Sequence, residues 1–224
     1  MQILPDVAIT PRPTGDDARP YVRSYIFMRL CAAALGIAVP LVLVFGEPLV
    51  FDGMPFVRGS LSAYYYSGAR ELFVGLIWAI AVFLITYKIL EWSRESLLSS
   101  AAGVAAIVVA VFPTGRPGDG FDLTPLQEWL GEGRVEKIHF VAAAVFIGAL
   151  GLISSYFGRY RATNTRVHWA AVVVIAAAAA LALVAAFTGE PDKGILIAEW
   201  SAIWAFGASW LATVELDLLL NRDS

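Results

Sequence analysis

The sequence predicts an all-α polytopic membrane protein, in which six transmembrane helices form one bundle with both termini in the cytoplasm. Of its 224 residues, 58% are apolar and 16% are charged, and the mean hydropathy is +0.69. Soluble domains average about 45–50% apolar and about 25% charged residues, so this composition excludes an ordinary soluble enzyme. The apolar residues fall into six blocks of about the length that crosses ~30 Å of hydrocarbon. Basic residues divide unequally between the two sides of this arrangement, which predicts its orientation.

The chain begins with a proline-rich, charged segment, residues 1–22, which is predicted to be a flexible cytoplasmic tail. It lacks the apolar region of a signal peptide, so we expect the first apolar block to be a retained helix. Residues 23–219 are predicted to form a single transmembrane domain. The third apolar block spans the bilayer only if its helix begins near Trp92. The six helices are expected at residues 24–45, 69–88, 97–112, 136–157, 167–187 and 195–214.

The distribution of lysine and arginine predicts which side faces the cytoplasm. Ten of the sixteen basic residues lie on the side that holds both termini. Because cytoplasmic loops carry the excess of basic residues, both termini are predicted to be cytoplasmic. The six basic residues on the outer side are Arg58, Arg70, Arg116, Arg134, Lys137 and Lys193.

Several kinds of chemistry are excluded. The single cysteine, Cys31, allows neither a disulfide framework nor a thiolate metal site. The net charge of -3, without a basic run, gives no basis for binding nucleic acid, and no nucleotide-binding motif is present. His139 and His168 are expected at opposite ends of the bundle, ~30 Å apart, and so cannot ligate one haem. His168 is interpreted as an interfacial residue.

Polar side chains gather at the outer ends of four predicted helices. Glu71 enters the second helix, His139 opens the fourth, and Glu199 lies about 6 Å below the start of the sixth. Ionisable groups within membrane spans face a cavity or a partner by default. Glu71, His139 and Glu199 are therefore candidate catalytic residues, which we expect to converge in one outer-half pocket. The candidate ligand-binding residues around them are Ser62, Tyr65, Arg70, Thr114, Glu136 and Trp200.

Structural interpretations of the same residues stay open. Glu199 could form an ion pair with Arg70 or Lys193. Glu71 could stabilise the first turn of its helix through the macrodipole. The tyrosines at 64–66 could belong to an interfacial aromatic belt.

A metal site is also compatible with this pattern. Glu136 and His139 are three residues apart, which places both side chains on one helical face. Together with Glu71 and Glu199 they could hold a single Zn²⁺ or Mn²⁺ ion. A di-iron centre is not supported, because it uses two Glu-x-x-His pairs and the chain has one.

Three short motifs resemble those of the FRAG/DRAM/Sfk family of six-helix membrane proteins. They are Ser62 in the loop before the second helix, His139 at the start of the fourth, and Glu199-Trp200 in the sixth, followed by Phe206-Gly207-Ala208-Ser209-Trp210. The resemblance covers most of residues 24–215. Members of that family take part in remodelling the lipid of GPI anchors and in autophagy at lysosomal membranes. The resemblance thus implies a lipid-linked role, and its bacterial relatives imply the bacterial inner membrane.

Two classes of function follow. In the first, the outer pocket binds a membrane lipid or its headgroup, and membrane lipid is the predicted partner. In the second, the protein is a lipid hydrolase or acyl-remodelling enzyme, with or without a metal, in which His139 is the general base. Glu71 and Glu199 would orient it, and Tyr65 or Arg70 would stabilise negative charge. The sequence favours the first class, because no nucleophile is positioned unambiguously. A small-solute transporter is a further alternative, although no broken helix or midplane charge marks a pathway.

Overall fold

The computed structural model describes residues 19–50, 57–87, 93–118, 120–160, 164–189 and 193–214. All regular elements within these ranges are helical, which confirms the predicted all-α class for them. Most of the predicted tail, the end of the predicted second helix at residue 88, and residues 215–219 of the predicted domain lie outside the described residues. The elements are α1 (Arg19–Val50), a 3-10 helix (Ser62–Tyr66), α2 (Arg70–Thr86), α3 (Arg94–Val111), α4 (Pro125–Leu130), α5 (Glu132–Tyr160), α6 (Thr165–Thr188) and α7 (Gly194–Leu211).

The long helices correspond to the six apolar blocks, but several begin or end beyond them. Helix α3 begins before its apolar block, near Trp92 as a bilayer span requires, and Ser93 caps it because the Ser93 side chain accepts a hydrogen bond from the Ser96 backbone N–H. Proline interrupts the backbone hydrogen bonds of α1 at Pro40 without ending the helix. Trp204 of α7 donates to the carbonyl of Ile37, at 3.0 Å, in the turn that this proline disturbs.

Contacts between helix ends show that the six long helices alternate in direction. At one end of the bundle, the start of α7 meets the loop after α1, where Leu196 N–H donates to the Gly59 carbonyl at 2.9 Å. At the other end, Trp210 near the end of α7 donates to the Arg29 carbonyl in the first third of α1, at 3.2 Å. We call the end that carries the 3-10 helix the loop end, and the opposite one the base end.

The six long helices close into a ring. Each packs against the next, in the order α1, α2, α3, α5, α6 and α7, and α7 contacts α1 again. Glycine allows the closest of these approaches: a Cβ atom at Gly103 of α3 would lie 2.7 Å from the Ala81 carbonyl oxygen of α2. Small residues of this kind let helix backbones pack tightly in a bilayer, where dispersion contacts hold helices together.

Five of the helices, α1, α3, α5, α6 and α7, have the length and apolar composition of membrane spans. Apolar side chains also cover their outer surface. On α6, for example, Val173 is 67% exposed and Phe187 is 85% exposed. Exposed apolar surface of this extent is typical of contact with lipid tails. These features are typical of an integral membrane protein.

Candidate functional site

Glu199 of α7 holds the start of the 3-10 helix at the loop end. Its carboxylate accepts hydrogen bonds from the Leu61 backbone N–H at 2.5 Å and from the Ser62 hydroxyl at 3.2 Å. The first N–H groups of a helix have no partner within it, so this carboxylate acts as a cap. These partners differ from the Arg70 and Lys193 ion pairs that the sequence allowed for Glu199.

The tyrosines of the 3-10 helix are buried and bonded to neighbouring segments. The Tyr66 hydroxyl donates to the Thr114 carbonyl at 2.9 Å and accepts from the Gln127 amide at 2.8 Å. Burial raises the pKa of Tyr66 above its usual value near 10. The Arg70 guanidinium lies over the Tyr65 ring at 4.3 Å and donates to its hydroxyl at 2.7 Å. Through its two hydrogen bonds, Tyr66 connects the 3-10 helix before α2 to the segment after α3 and to α4.

His139 joins the start of α5 to the end of α3. Its Nδ1 lies 2.7 Å from the carbonyl oxygen of Phe112, and the side chain is buried. Because a carbonyl can only accept, we assign the ring proton to Nδ1. The last carbonyls of a helix lack partners within it, and Pro113 prevents α3 from continuing. His139 therefore satisfies a carbonyl that the end of α3 leaves free.

The other predicted site residues of the loop end contact different groups. The carboxylate of Glu136 sits against Gly115, where a Cβ atom would lie 2.5 Å from its Oε1. Glu71 is exposed in the first turn of α2, where the helix dipole favours a carboxylate. Trp200 packs edge-on against Trp204, with ring centroids 5.4 Å apart.

The structure thus brings together only some of the predicted site residues. Ser62 meets Glu199, and Tyr65 meets Arg70. No hydrogen bond or ion pair within the described residues joins Glu71, His139 and Glu199. In the same part of the chain, no three His, Cys, Asp or Glu side chains are grouped to hold a metal ion. The single Zn²⁺ or Mn²⁺ ion stays a prediction.

Sequence analysis missed a buried ion pair at the loop end. Glu47, near the end of α1, is 1% exposed, and the Nε of Arg58 lies 3.2 and 3.0 Å from its two carboxylate oxygens. A second guanidinium nitrogen is 2.5 Å from Oε1. The available signal was a carboxylate at the end of an apolar block, eleven residues before a basic residue. This pair ties Arg58, which precedes the 3-10 helix, to the end of α1.

The base end holds a second buried polar cluster, which sequence analysis did not predict. Arg29 is 6% exposed, and its guanidinium carbon lies 5.4 and 5.5 Å from the ring centroids of Tyr87 and Trp210, which pack against each other at 4.5 Å. The Tyr87 hydroxyl donates to the buried carboxylate of Glu95 at 2.7 Å. The cluster joins the starts of α1 and α3 to the end of α7.

The interfacial interpretation of His168 is wrong. The side chain is fully buried, and its Nδ1 lies 2.9 Å from the Ser209 hydroxyl oxygen. Helix α6 turns this residue inward against α7, so it links helices. Its partner also places His168 at the base end, opposite His139, as the topology predicted.

An open groove of about 720 Å³ lies between α3 and α5. From Leu97 to Val108, α3 lines about 16 Å of it at a rise of 1.5 Å per residue. That length is close to half of the ~30 Å hydrocarbon core. Lys137 stands at the loop end of the groove, and the rest of the lining is apolar or small: Leu97, Ser100, Ala101, Val104, Ala105, Val108, Ile138, Val141, Ala142 and Val145.

Sequence analysis also missed this groove, because its walls face outward from the bundle. The available signal was a stripe on α5, in which Lys137 is followed on the same face by Ile138, Val141 and Val145. The buried Ala142 forms part of the floor, so the concavity comes from small residues between larger ones.

Comparison with known proteins identified no relative of this chain. No protein-family model, curated protein or solved structure matches this chain. The resemblance to the FRAG/DRAM/Sfk family stays a prediction.

Proposed function

We propose that the protein binds a membrane lipid in the α3–α5 groove, with one acyl chain along the groove and the headgroup beside Lys137. The groove itself carries this proposal. Its volume of about 720 Å³ lies in the range of small-molecule sites, roughly 300–1,000 Å³. The groove follows most of the length of α3, and a basic side chain marks the headgroup level at one end.

The shape of the groove favours a bound acyl chain over the transient lipid contacts of an ordinary helix surface. Ala105 and Ala142 are buried, whereas Val104 and Val141 stand out on either side, 56% and 65% exposed. An acyl chain between these walls contacts protein on several sides. In a bilayer, where apolar burial gives no advantage, such added dispersion contacts are what distinguish a bound chain from a bulk one.

The polar layer at the loop end has a positioning role in this proposal. The His139 bond to the Phe112 carbonyl joins α5 to α3 beside the headgroup end of the groove. The bond fixes the separation of the two walls there. We do not extend the proposal to hydrolysis or transport, because His139 and Glu199 already bond to groups of the protein.

A phenylalanine in place of Ala101 tests the lipid site. Ala101 lines the groove and is exposed, so the larger ring can fill the groove without displacing the core. We expect Ala101→Phe to reduce the lipid retained in native mass spectrometry about tenfold, equivalent to about 1.4 kcal/mol of binding free energy. Ala177→Phe, on the exposed face of α6, is the matched control and should retain lipid as the wild type does. Equal retention by Ala101→Phe and the wild type would contradict the proposal.

We further propose that α2 also crosses the membrane and that both termini are cytoplasmic. Helix α2 has 17 residues and packs between α1 and α3 in the ring. With six alternating helices, a cysteine at Gly118 in a Cys31→Ala background should react with an impermeant maleimide from outside the cell. A cysteine at Asn164 should be protected in intact cells and react after permeabilisation. The reverse pattern would show that the orientation is wrong.

A further inference from the structure

We infer that the groove selects an anionic lipid, whose phosphate-bearing headgroup is bound by Lys137 and Arg134 of α5. The inference rests on the proposed lipid site and adds the class of lipid that it takes. The observation behind it is the juxtaposition of two basic side chains with the loop end of an apolar groove.

The spacing along α5 aligns the basic and apolar parts. Arg134 precedes Lys137 by three residues, which places it one turn nearer the loop end on the same helical face. Both side chains are exposed. The apolar stripe of Ile138, Val141 and Val145 continues from them toward the base end. Along this face of α5 the basic side chains therefore lie at the level of a lipid headgroup, and the apolar side chains lie deeper, at the level of its acyl chains.

The neighbouring carboxylates Glu132 and Glu136 form no ion pair with Arg134 or Lys137. Glu132 bonds to Arg116, whose Nε lies 2.9 Å from Oε1, and Glu136 lies against Gly115. Within the described residues, no hydrogen bond or ion pair engages the side chains of Arg134 and Lys137. The first turns of α5 add the positive end of the helix dipole. Among the residues that the structure describes, two basic side chains without a carboxylate partner therefore flank the loop end of the groove.

Basic residues near a membrane surface also attract anionic lipid without binding one molecule. That general attraction would arise equally from an exposed arginine away from the groove, such as Arg166 at the start of α6. If the lipid binds in the groove, the preference for an anionic headgroup and the retention of the lipid should both depend on residues of the same face of α5. Arg166→Gln is therefore the control for Lys137→Gln and Arg134→Gln.

The test uses the full chain in nanodiscs of equal parts phosphatidylcholine and phosphatidylglycerol, followed by native mass spectrometry of the lipid that stays bound on release. A juxtamembrane basic residue contributes about 1 kcal/mol, so we expect Lys137→Gln and Arg134→Gln each to lower the phosphatidylglycerol preference about fivefold. Arg166→Gln should leave the preference unchanged.

The outcomes separate this inference from the proposed function. Equal retention of the two lipids by the wild type, with loss of both in Ala101→Phe, would overturn the charge selectivity and leave the lipid site in place. A preference that Lys137→Gln and Arg166→Gln reduce equally would also overturn it. Retention that Ala101→Phe does not change would overturn the lipid site itself.

Discussion

Replacing Glu47 with alanine is expected to lower the free energy of unfolding by about 3–5 kcal/mol, because removal of one partner leaves the other charge buried and uncompensated. The side chains of Glu47 and Arg58 are only 2% and 11% exposed, and the guanidinium contacts both carboxylate oxygens. Unfolding in mixed micelles, followed by circular dichroism, measures the loss.

Two controls separate this pair from surface electrostatics. The double variant Glu47→Met with Arg58→Met removes both charges and should recover much of the lost stability, since no unpaired charge stays buried. Glu132→Ala breaks the more exposed pair with Arg116 and should cost much less stability than Glu47→Ala, because solvent screens the exposed charges. A Glu47→Ala loss no larger than that of Glu132→Ala would show that the Glu47 pair contributes little.

Replacing Glu199 with alanine is expected to cost about 1–3 kcal/mol, because it leaves the Leu61 N–H and the Ser62 hydroxyl without their acceptor. Amide hydrogen exchange should also accelerate at Leu61 and in the 3-10 helix that follows. Glu199→Gln keeps an acceptor oxygen but loses the charge, so its effect should be intermediate. If exchange at Leu61 is unchanged in Glu199→Ala, the carboxylate does not cap this segment.

The long helices could be predicted from the sequence because segments that cross a bilayer must be apolar over the length of the hydrocarbon core. Their ends could not, since hydrogen bonding continues past the apolar region into the polar layers, as at the start of α5. The short α4 was overlooked although its signal is local. Thr124 and Gln127 form a capping box around Pro125, a pattern that predicts a helix start.

The site was harder to predict, because its polar groups bond to the backbone. The partner of His139 is a carbonyl 27 residues away, and that of Glu199 is an N–H 138 residues away. Counting ionisable groups at helix ends correctly placed both residues at one end of the bundle. It could not distinguish a shared pocket from two separate caps, because every backbone group is a potential partner regardless of side-chain type. Arg29 at the base end was equally hard to predict, because an arginine near the end of an apolar block can be either exposed at the membrane interface or buried in the bundle.

Photocrosslinking tests the lipid site most directly. Vesicles containing a phosphatidylglycerol with a diazirine on its acyl chain are irradiated with the reconstituted protein, and the crosslinked residues are mapped by mass spectrometry. The groove proposal predicts crosslinks concentrated at Leu97, Val104 and Val141, and their loss in Ala101→Phe. The comparison surface is α6, where Val173 and Leu183 are 67% and 63% exposed. Crosslinks distributed equally over α6 and the groove, and unchanged by Ala101→Phe, would contradict a bound lipid.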